Sequence, residues 1–533
     1  MKVYTLNLLF SFALLFSCLV NAQSDNKQPN IILIYADDLG KGLLSHYGQK
    51  IISTPHIDQL AEEGITFENA YSGMVCAPSR ASLISGLRDC RPENFQITKG
   101  GIYNKISNGT YSNEEIQSKI NSVLSSVSKN NVFLGEVAQK QGYVTGQFGK
   151  LEWGFAATHQ QMVRHGWDEY YGYLDHVRAH GFYPPFLFRN GEVENIEGNT
   201  HADGAKTKEN ETPEKFKERW NMEGKMVYSQ HLFMSNVMQF ISKNRDNPFF
   251  LYFPTQLPHG PVSVPAVHPD FANNGQLTQI EKEYASMVKM LDDNVGQIMA
   301  HIKNLGIDEN TLVIFTSDNG HEIYYTQEGR VYKPYRNIET GERFDDLNAK
   351  FYSNLGGDVF NGNGGRAGLK RSNLQGGIQA PLIARWPKKI TKGQTSHLLV
   401  ANYDFVATIA DITGYKGTVK SDGLSFYKEL IGEGNNKEHD YVVYASFIGP
   451  TIITKEGWKL RTHLSKNAFE LFYLPDDYRE ENDLSIRYPK KVKELKEQML
   501  LACGGDFENG VFTFGKNSID VEKQWKLKNT NHK

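Results

Sequence analysis

Only four cysteines occur in 533 residues: Cys18, Cys76, Cys90 and Cys503. That scarcity excludes a scaffold built on disulfides, and their spacing excludes a Cys-x-x-Cys zinc site. The net charge is −3, from 58 basic and 61 acidic residues, so there is no electrostatic case for a nucleic-acid partner. Beyond residue 22 no run approaches the ~18 apolar residues that a membrane-spanning helix needs. Internal repeats and low-complexity tracts are absent as well, which removes solenoids and disordered linkers. What remains is a globular chain, long enough for one large core and a smaller one. Its aromatics, 12% with 27 Tyr, fit core packing, with a carbohydrate groove as the alternative.

Residues 1–22 carry Lys2, a mainly apolar run from Leu6 to Val20, and Val20-Asn21-Ala22 as a cleavage triplet. This pattern predicts a secretion signal and a periplasmic or secreted protein. Leu15-Phe16-Ser17-Cys18 offers an imperfect lipobox, so anchoring through Cys18 is the alternative that bulky Phe16 disfavours. Loss of the signal leaves three cysteines, an odd number that reserves one thiol for another task. Whether Cys90 and Cys503 pair depends on a distance that the sequence does not give.

Cys76-Ala77-Pro78-Ser79-Arg80 carries the most chemistry. Ala81 to Ser85 continue it as a helix that Gly86 stops, and Pro78 suits the first turn, where its missing N–H costs nothing. Cys76 is thus predicted at a helix N-terminus, where free N–H groups and the helix dipole favour an anion. Arg80, one turn on, adds a planar cation matched to tetrahedral oxyanions.

From Asn30 onward buried strands alternate with amphipathic helices, an α/β pattern. Predicted strands are Ile31 to Ala36, Tyr143 to Phe148, Phe249 to Phe253, Thr311 to Thr316 and Pro381 to Trp386. Helices are expected from Thr54 to Gly64, Val132 to Gln141 and Met226 to Ile241, and along the face Tyr284, Met287, Leu291, Val295, Ile298, Ile302 and Leu305. After the polar Asn435-Asn436-Lys437-Glu438 the texture becomes antiparallel, with Tyr441 to Tyr444 and Thr451 to Thr454 as strands and Pro489 to Leu500 as a closing helix. The expected division is a signal over 1–22, a catalytic domain over 23–434 and a small α+β subdomain over 435–533. Stretches 95–130 and 324–365 read as unusually long polar loops.

Four strands deliver charged or coordinating groups at or soon after their carboxyl ends: Asp37-Asp38, Lys150 with Glu152, His259, and Asp318-Asn319. Open α/β sheets bind ligands at that edge. Asp37, Asp38, Asp318 and Asn319 offer only oxygens, which suits Ca²⁺ or Mg²⁺ better than zinc. A solvated Asp-Asp turn, a surface lysine and a turn histidine are the plainer readings of the same residues. Lys370, in Gly368-Leu369-Lys370-Arg371, is the least distinctive cation.

Together these motifs resemble the formylglycine-dependent sulfatases of the alkaline phosphatase superfamily. The match rests on Tyr35-Ala36-Asp37-Asp38-Leu39-Gly40, Cys76 to Arg80 with Leu83 and Gly86, Gly149-Lys150, Pro258-His259, Thr316-Ser317-Asp318-Asn319-Gly320, and Lys370 to Gly377 before Pro381. The resemblance implies an alkaline-phosphatase-like domain with a large central mixed sheet. It also implies conversion of Cys76 to Cα-formylglycine by a maturing enzyme, and one Ca²⁺ held by Asp37, Asp38, Asp318, Asn319 and the modified Cys76. Arg80, Lys150 and Lys370 would neutralise sulfate, and His259 would protonate the leaving oxygen. Many relatives read Gly-Lys-Trp-His where this chain has Gly149-Lys150-Leu151-Glu152, so Glu152 is the expected base if it points inward. Gln375 and Gln379 stand where relatives often carry Glu and Arg. Arg178, His180 and His321 are candidate substrate contacts. The expected substrate is a sulfated carbohydrate, an algal polysaccharide such as ulvan or a glycosaminoglycan. The alternatives are a phosphatase or phosphodiesterase of the same superfamily and a non-catalytic glycan-binding protein.

Overall fold

The apolar run at Ile31 forms a strand whose seven residues are all buried, because both of its faces are covered. Ile31, Leu33 and Tyr35 enter one core cluster while Ile32, Ile34 and Ala36 enter the other. Each Ile or Leu among them contributes roughly 1.5–3 kcal/mol by leaving water. This is a computed structural model, and it describes residues 28–530 apart from 92–95, 125–130, 154–155, 201–211, 213, 215–216, 326–349, 435–436, 514 and 516. The predicted signal, Cys18 and Asn435-Asn436 lie outside the described residues.

Among the described residues ten strands make the main sheet: β1 Asn30–Ala36, β2 Ile65–Phe67, β3 Val144–Lys150, β4 Glu169–Tyr173, β5 Phe186–Arg189, β6 Glu192–Asn195, β7 Phe249–Pro254, β8 Thr311–Ser317, β9 Leu382–Arg385 and β10 Gln394–Ser396. Their order is β10-β2-β9-β8-β1-β7-β3-β4-β5-β6. The central run β8-β1-β7-β3-β4 is parallel, while β9, β5 and β6 run antiparallel to their neighbours on that run's flanks. The sheet is therefore mixed, as expected. Helices Cys76–Ser85, Leu134–Gln139 and Phe405–Thr413 cover one face through Ala77, Val137 and Ile409. Helices Pro55–Glu62, Ser229–Lys243 and Gln279–Asn304 cover the other through Leu60, Val237 and Leu291.

A second, antiparallel sheet follows: β11 Tyr441–Tyr444, β12 Thr451–Thr454, β13 Trp458–His463 and β14 Ala468–Tyr473. The helix Pro489–Ala502 covers it, with Leu495 and Met499 packed beside Ile452, Leu460 and Leu471. One expectation needs correction. The polar stretch 95–130 contains the helix Asn113–Val123, started by a capping box between Ser112 and Glu115. Reciprocal hydrogen bonds from those two residues satisfy the helix's first free N–H groups, so a low apolar content does not prevent the helix.

Candidate active site

Parallel registry builds the site. Ala36 on β1 pairs with Ser317 on β8, so Asp37-Asp38 and Asp318-Asn319 leave adjacent strands side by side. β7 flanks β1 on its other side and β3 flanks β7, which brings the His259 loop and Lys150 to the same edge. The Asp38 amide donates to Asp318 Oδ1 at 3.0 Å, and Asn319 Nδ2 donates to Asp38 Oδ1 at 2.7 Å. Asp38 takes a left-handed backbone with φ of 63°, a conformation that a non-glycine residue holds only when its surroundings enforce it.

Cys76 opens its helix as predicted, with Val75 extended before it and Gly86 left-handed after it. All ten residues of that helix are buried. Ser79 ties down its first turn: its hydroxyl accepts from the Gly73 amide at 3.1 Å, meets Tyr35 Oη at 3.2 Å and accepts from Asn402 Nδ2 at 3.0 Å. Arg80 leaves the same turn toward the acidic strand ends, donating to Asp318 Oδ2 from Nε at 3.1 Å and from Nη2 at 2.8 Å.

Three carboxylates and three cations then converge in the interior. Lys150 Nζ donates to Asp37 Oδ2 and Lys370 Nζ to Asp38 Oδ2, each at 2.7 Å. All six side chains are at most 5% exposed. Burial acts to raise the Asp38 pKa, but the Lys370 ammonium and hydrogen bonds from Lys370, Tyr324 and Asn319 hold it at about 2. Asp318 moves the other way, to about 7, because burial and the Asp37 and Asp38 charges outweigh Arg80. Lys370 reaches this place because its loop is pinned. Its amide donates to His321 O at 2.9 Å, and the Arg371 amide donates to Met74 O at 2.7 Å. Gly320 lies so close to Gly376 O that a Cβ there would sit 1.8 Å from it. The antiparallel sheet braces the loop from behind: Asn373 Nδ2 donates to Gly449 O and Thr462 O, and the Gln375 amide donates to Glu480.

His259 completes the cluster. Its Nδ1 donates to Gly260 O at 2.5 Å, leaving Nε2 facing Lys370 Nζ at 3.2 Å and Asp38 Oδ2 at 3.5 Å. His180 stacks flat on it, ring centroids 4.1 Å apart at 3°, and Tyr324 tilts against it at 5.0 Å while donating to Asp38. His180 thus joins the site through His259.

Three sequence candidates face elsewhere. Glu152 has a φ of 59°, which turns its side chain to His165 Nδ1 and, at 2.5 Å, Trp167 Nε1. Both carboxylate oxygens are taken there, so its partners are not those of Cys76 and the expected base role is not carried forward. Arg178 is 2% exposed, donating to Phe186 O with its guanidinium 3.7 Å above the Phe186 ring. His321 is fully buried between Asp358 and Tyr284 beneath Gly362, a packing position. Two residues escaped sequence reading. Tyr324 follows the Asp318 loop. His176 follows β4, donates from Nε2 to Leu151 O at 2.9 Å, and is kept neutral by burial and by the Lys150 and Arg80 charges. Applying the strand-end rule to β4 would have found His176.

The donor set suits a hard dication. Asp37 Oδ1 and Asn319 Oδ1 are buried oxygens with no hydrogen-bond partner. Single donor atoms of Asp37, Cys76 and Asp318 lie within 4.8 Å of one another, as do those of Asp37, Asp38 and His259. Three cations already oppose these acidic groups, so a dication would enter together with an anion.

Comparison with known proteins agrees with this geometry. Residues 29–415 match the sulfatase family, and residues 369–505 match the C-terminal region of N-sulphoglucosamine sulphohydrolase. An N-acetylgalactosamine-6-O-sulfatase of Bacteroides thetaiotaomicron is 28% identical over 92% of this chain and 97% of its own length. The N-acetylgalactosamine-6-sulfatase of Rattus norvegicus is 29% identical over 73% of this chain and 62% of that protein. A solved Bacteroides thetaiotaomicron structure, from work on the metabolism of multiple glycosaminoglycans and labelled 6S-sulf, superposes with a TM-score of 0.66 at 24% identity, over 90% of this chain and 100% of that one. The chain belongs to the sulfatase family and is a sulfuric ester hydrolase.

Proposed function

We propose that this enzyme is exported and removes the sulfate ester from a sulfated carbohydrate, after a maturing enzyme has converted Cys76 to Cα-formylglycine. The observation that carries the reading is the convergence of Asp37, Asp38, Asp318, Arg80, Lys150, Lys370 and His259 near Cys76. Asp37, Asp38, Asp318 and Asn319 would hold Ca²⁺, with the modified Cys76 as a further ligand. Bound there, Ca²⁺ and the aldehyde hydrate supply positive charge against sulfate oxygen and a nucleophilic hydroxyl.

The remaining chemistry belongs to the chain's own side chains. Arg80, Lys150 and Lys370 surround the position of a tetrahedral anion with fixed positive charge, which is worth most where water is excluded. His259 Nε2, with the Lys370 ammonium beside it, forms the proton-carrying pair that faces the leaving oxygen. Glu152, bound to His165 and Trp167, holds the β3 loop. Arg178 and His321 are assigned to packing. His180, 5% exposed and stacked on His259, is the substrate-side candidate retained.

The relatives named for N-acetylgalactosamine-6-sulfate make that ester the first substrate to test. No helix among the described residues is long and apolar enough to cross a membrane. The test combines mass spectrometry of the peptide spanning Cys76 with ion chromatography of released sulfate. An aldehyde in place of the thiol, sulfate release, and its abolition in Cys76→Ala are expected. Desulfation at the wild-type rate by Cys76→Ala would overturn the reading.

A further inference from the structure

Cys90 lies just beyond the helix that Cys76 opens, yet its side chain belongs to the other core. It packs with Val443, Ile452, Leu460, Leu471, Met499 and Cys503, the apolar cluster between the antiparallel sheet and the helix Pro489–Ala502. Cys503 ends that helix. Both residues are 0% exposed and both are free thiols. Cys90 Sγ points at Ala502 O, 3.6 Å away, the carbonyl of the residue next to Cys503. Two thiols gathered in one apolar cluster, 413 positions apart in the chain, are not placed there by local sequence.

We propose that Cys90 and Cys503 are joined by a disulfide in the exported protein, tying the nucleophile-bearing half of the chain to the helix Pro489–Ala502. The oxidant is the disulfide of a thiol–disulfide oxidoreductase in the oxidising compartment. The thiolate of one cysteine attacks that disulfide and forms a mixed disulfide. The second thiol then displaces the donor's sulfur, so one S–S bond forms here and one is lost there. Two electrons leave with the donor as its dithiol, together with the two thiol protons. In the folded chain the neighbouring Cys503 thiol and burial push the Cys90 thiol up, which suppresses its thiolate. The bond is therefore made while the chain folds, and once buried it is not exchanged. Pairing these two leaves Cys76 as the odd thiol beyond residue 22, open to the conversion required by the proposed function. The pairing itself does not depend on that function.

The full chain should be directed to an oxidising periplasm, alkylated in denaturant without reductant, and mapped by mass spectrometry. A cross-linked Cys90–Cys503 peptide is expected, with both thiols alkylated only after reduction in denaturant. Native protein treated with reductant should keep the bond. Thermal unfolding of Cys90→Ala/Cys503→Ala should fall several degrees below the oxidised wild type and match wild type reduced in denaturant and refolded. Alkylation of both cysteines without reductant overturns the proposal, as does a bridge from Cys76 to either one. Desulfation by the same preparations reports separately on the catalytic reading.

Discussion

Replacing Lys370 with Met tests the charge arrangement most directly. The ammonium sits 2.7 Å from Asp38 Oδ2 and 3.2 Å from His259 Nε2, both in the interior. Asp38 is displaced from its ordinary 3.8 to about 2. Against its unfolded value this displacement contributes ~2 kcal/mol above pH 4, lost as pH falls through 2. Asn319 and Tyr324 still donate to Asp38 in the variant, but burial then acts on its carboxylate without the Lys370 charge, so the loss should be larger, about 3–5 kcal/mol. The variant's acid unfolding limb should move up toward pH 4, as measured by denaturant titration of chelated protein. Catalysis should fall too, because a cation aimed at developing charge in a dry site accounts for roughly 10²–10³ in turnover. Lys370→Arg keeps the charge and should recover part of the rate. A Lys370→Met enzyme with kcat/KM within about threefold of wild type would refute the reasoning.

Chelation followed by inductively coupled plasma analysis should abolish turnover and reveal one equivalent of calcium on reconstitution. Asn319→Ala, which deletes a buried oxygen with no protein partner, should weaken that uptake by more than about tenfold. Glu152→Gln should keep turnover within about threefold yet lower stability by ~1–3 kcal/mol, since a carboxylate shared by His165 and Trp167 is replaced. Asp89 is raised by burial from 3.8 to about 7, with the Ala445 amide donating to Oδ1 at 2.9 Å. The folded state then binds a proton that the unfolded state releases, so stability falls as pH rises from about 4 to 7, by up to ~4 kcal/mol. Asp89→Asn should flatten that slope in thermal scans, and an unchanged slope would exclude Asp89 as its source.

The strands and the groups at their ends were legible in the chain because both are short-range facts. An apolar run covered on two faces must be a buried strand, and the residue that follows it must appear at the sheet edge. The helix start at Cys76 and the change from α/β alternation to antiparallel strands were equally local, while the large mixed sheet was expected only from the family resemblance. The helix Asn113–Val123 was also legible, in Ser112 and Glu115, but was hidden by its few apolar residues. Direction and company were not legible. Whether Glu152 faces Cys76 depends on His165 and Trp167, and the depth of Arg178 and His321 depends on Phe186 and Asp358. Lys370, which reads as a basic loop residue, becomes a buried cation only because Asp38 and the bracing sheet meet it across 332 positions. Sequence determined which groups reach the sheet edge, through periodicity and strand length. Tertiary structure decided which of them face one another, because a side chain's direction is fixed by partners far along the chain.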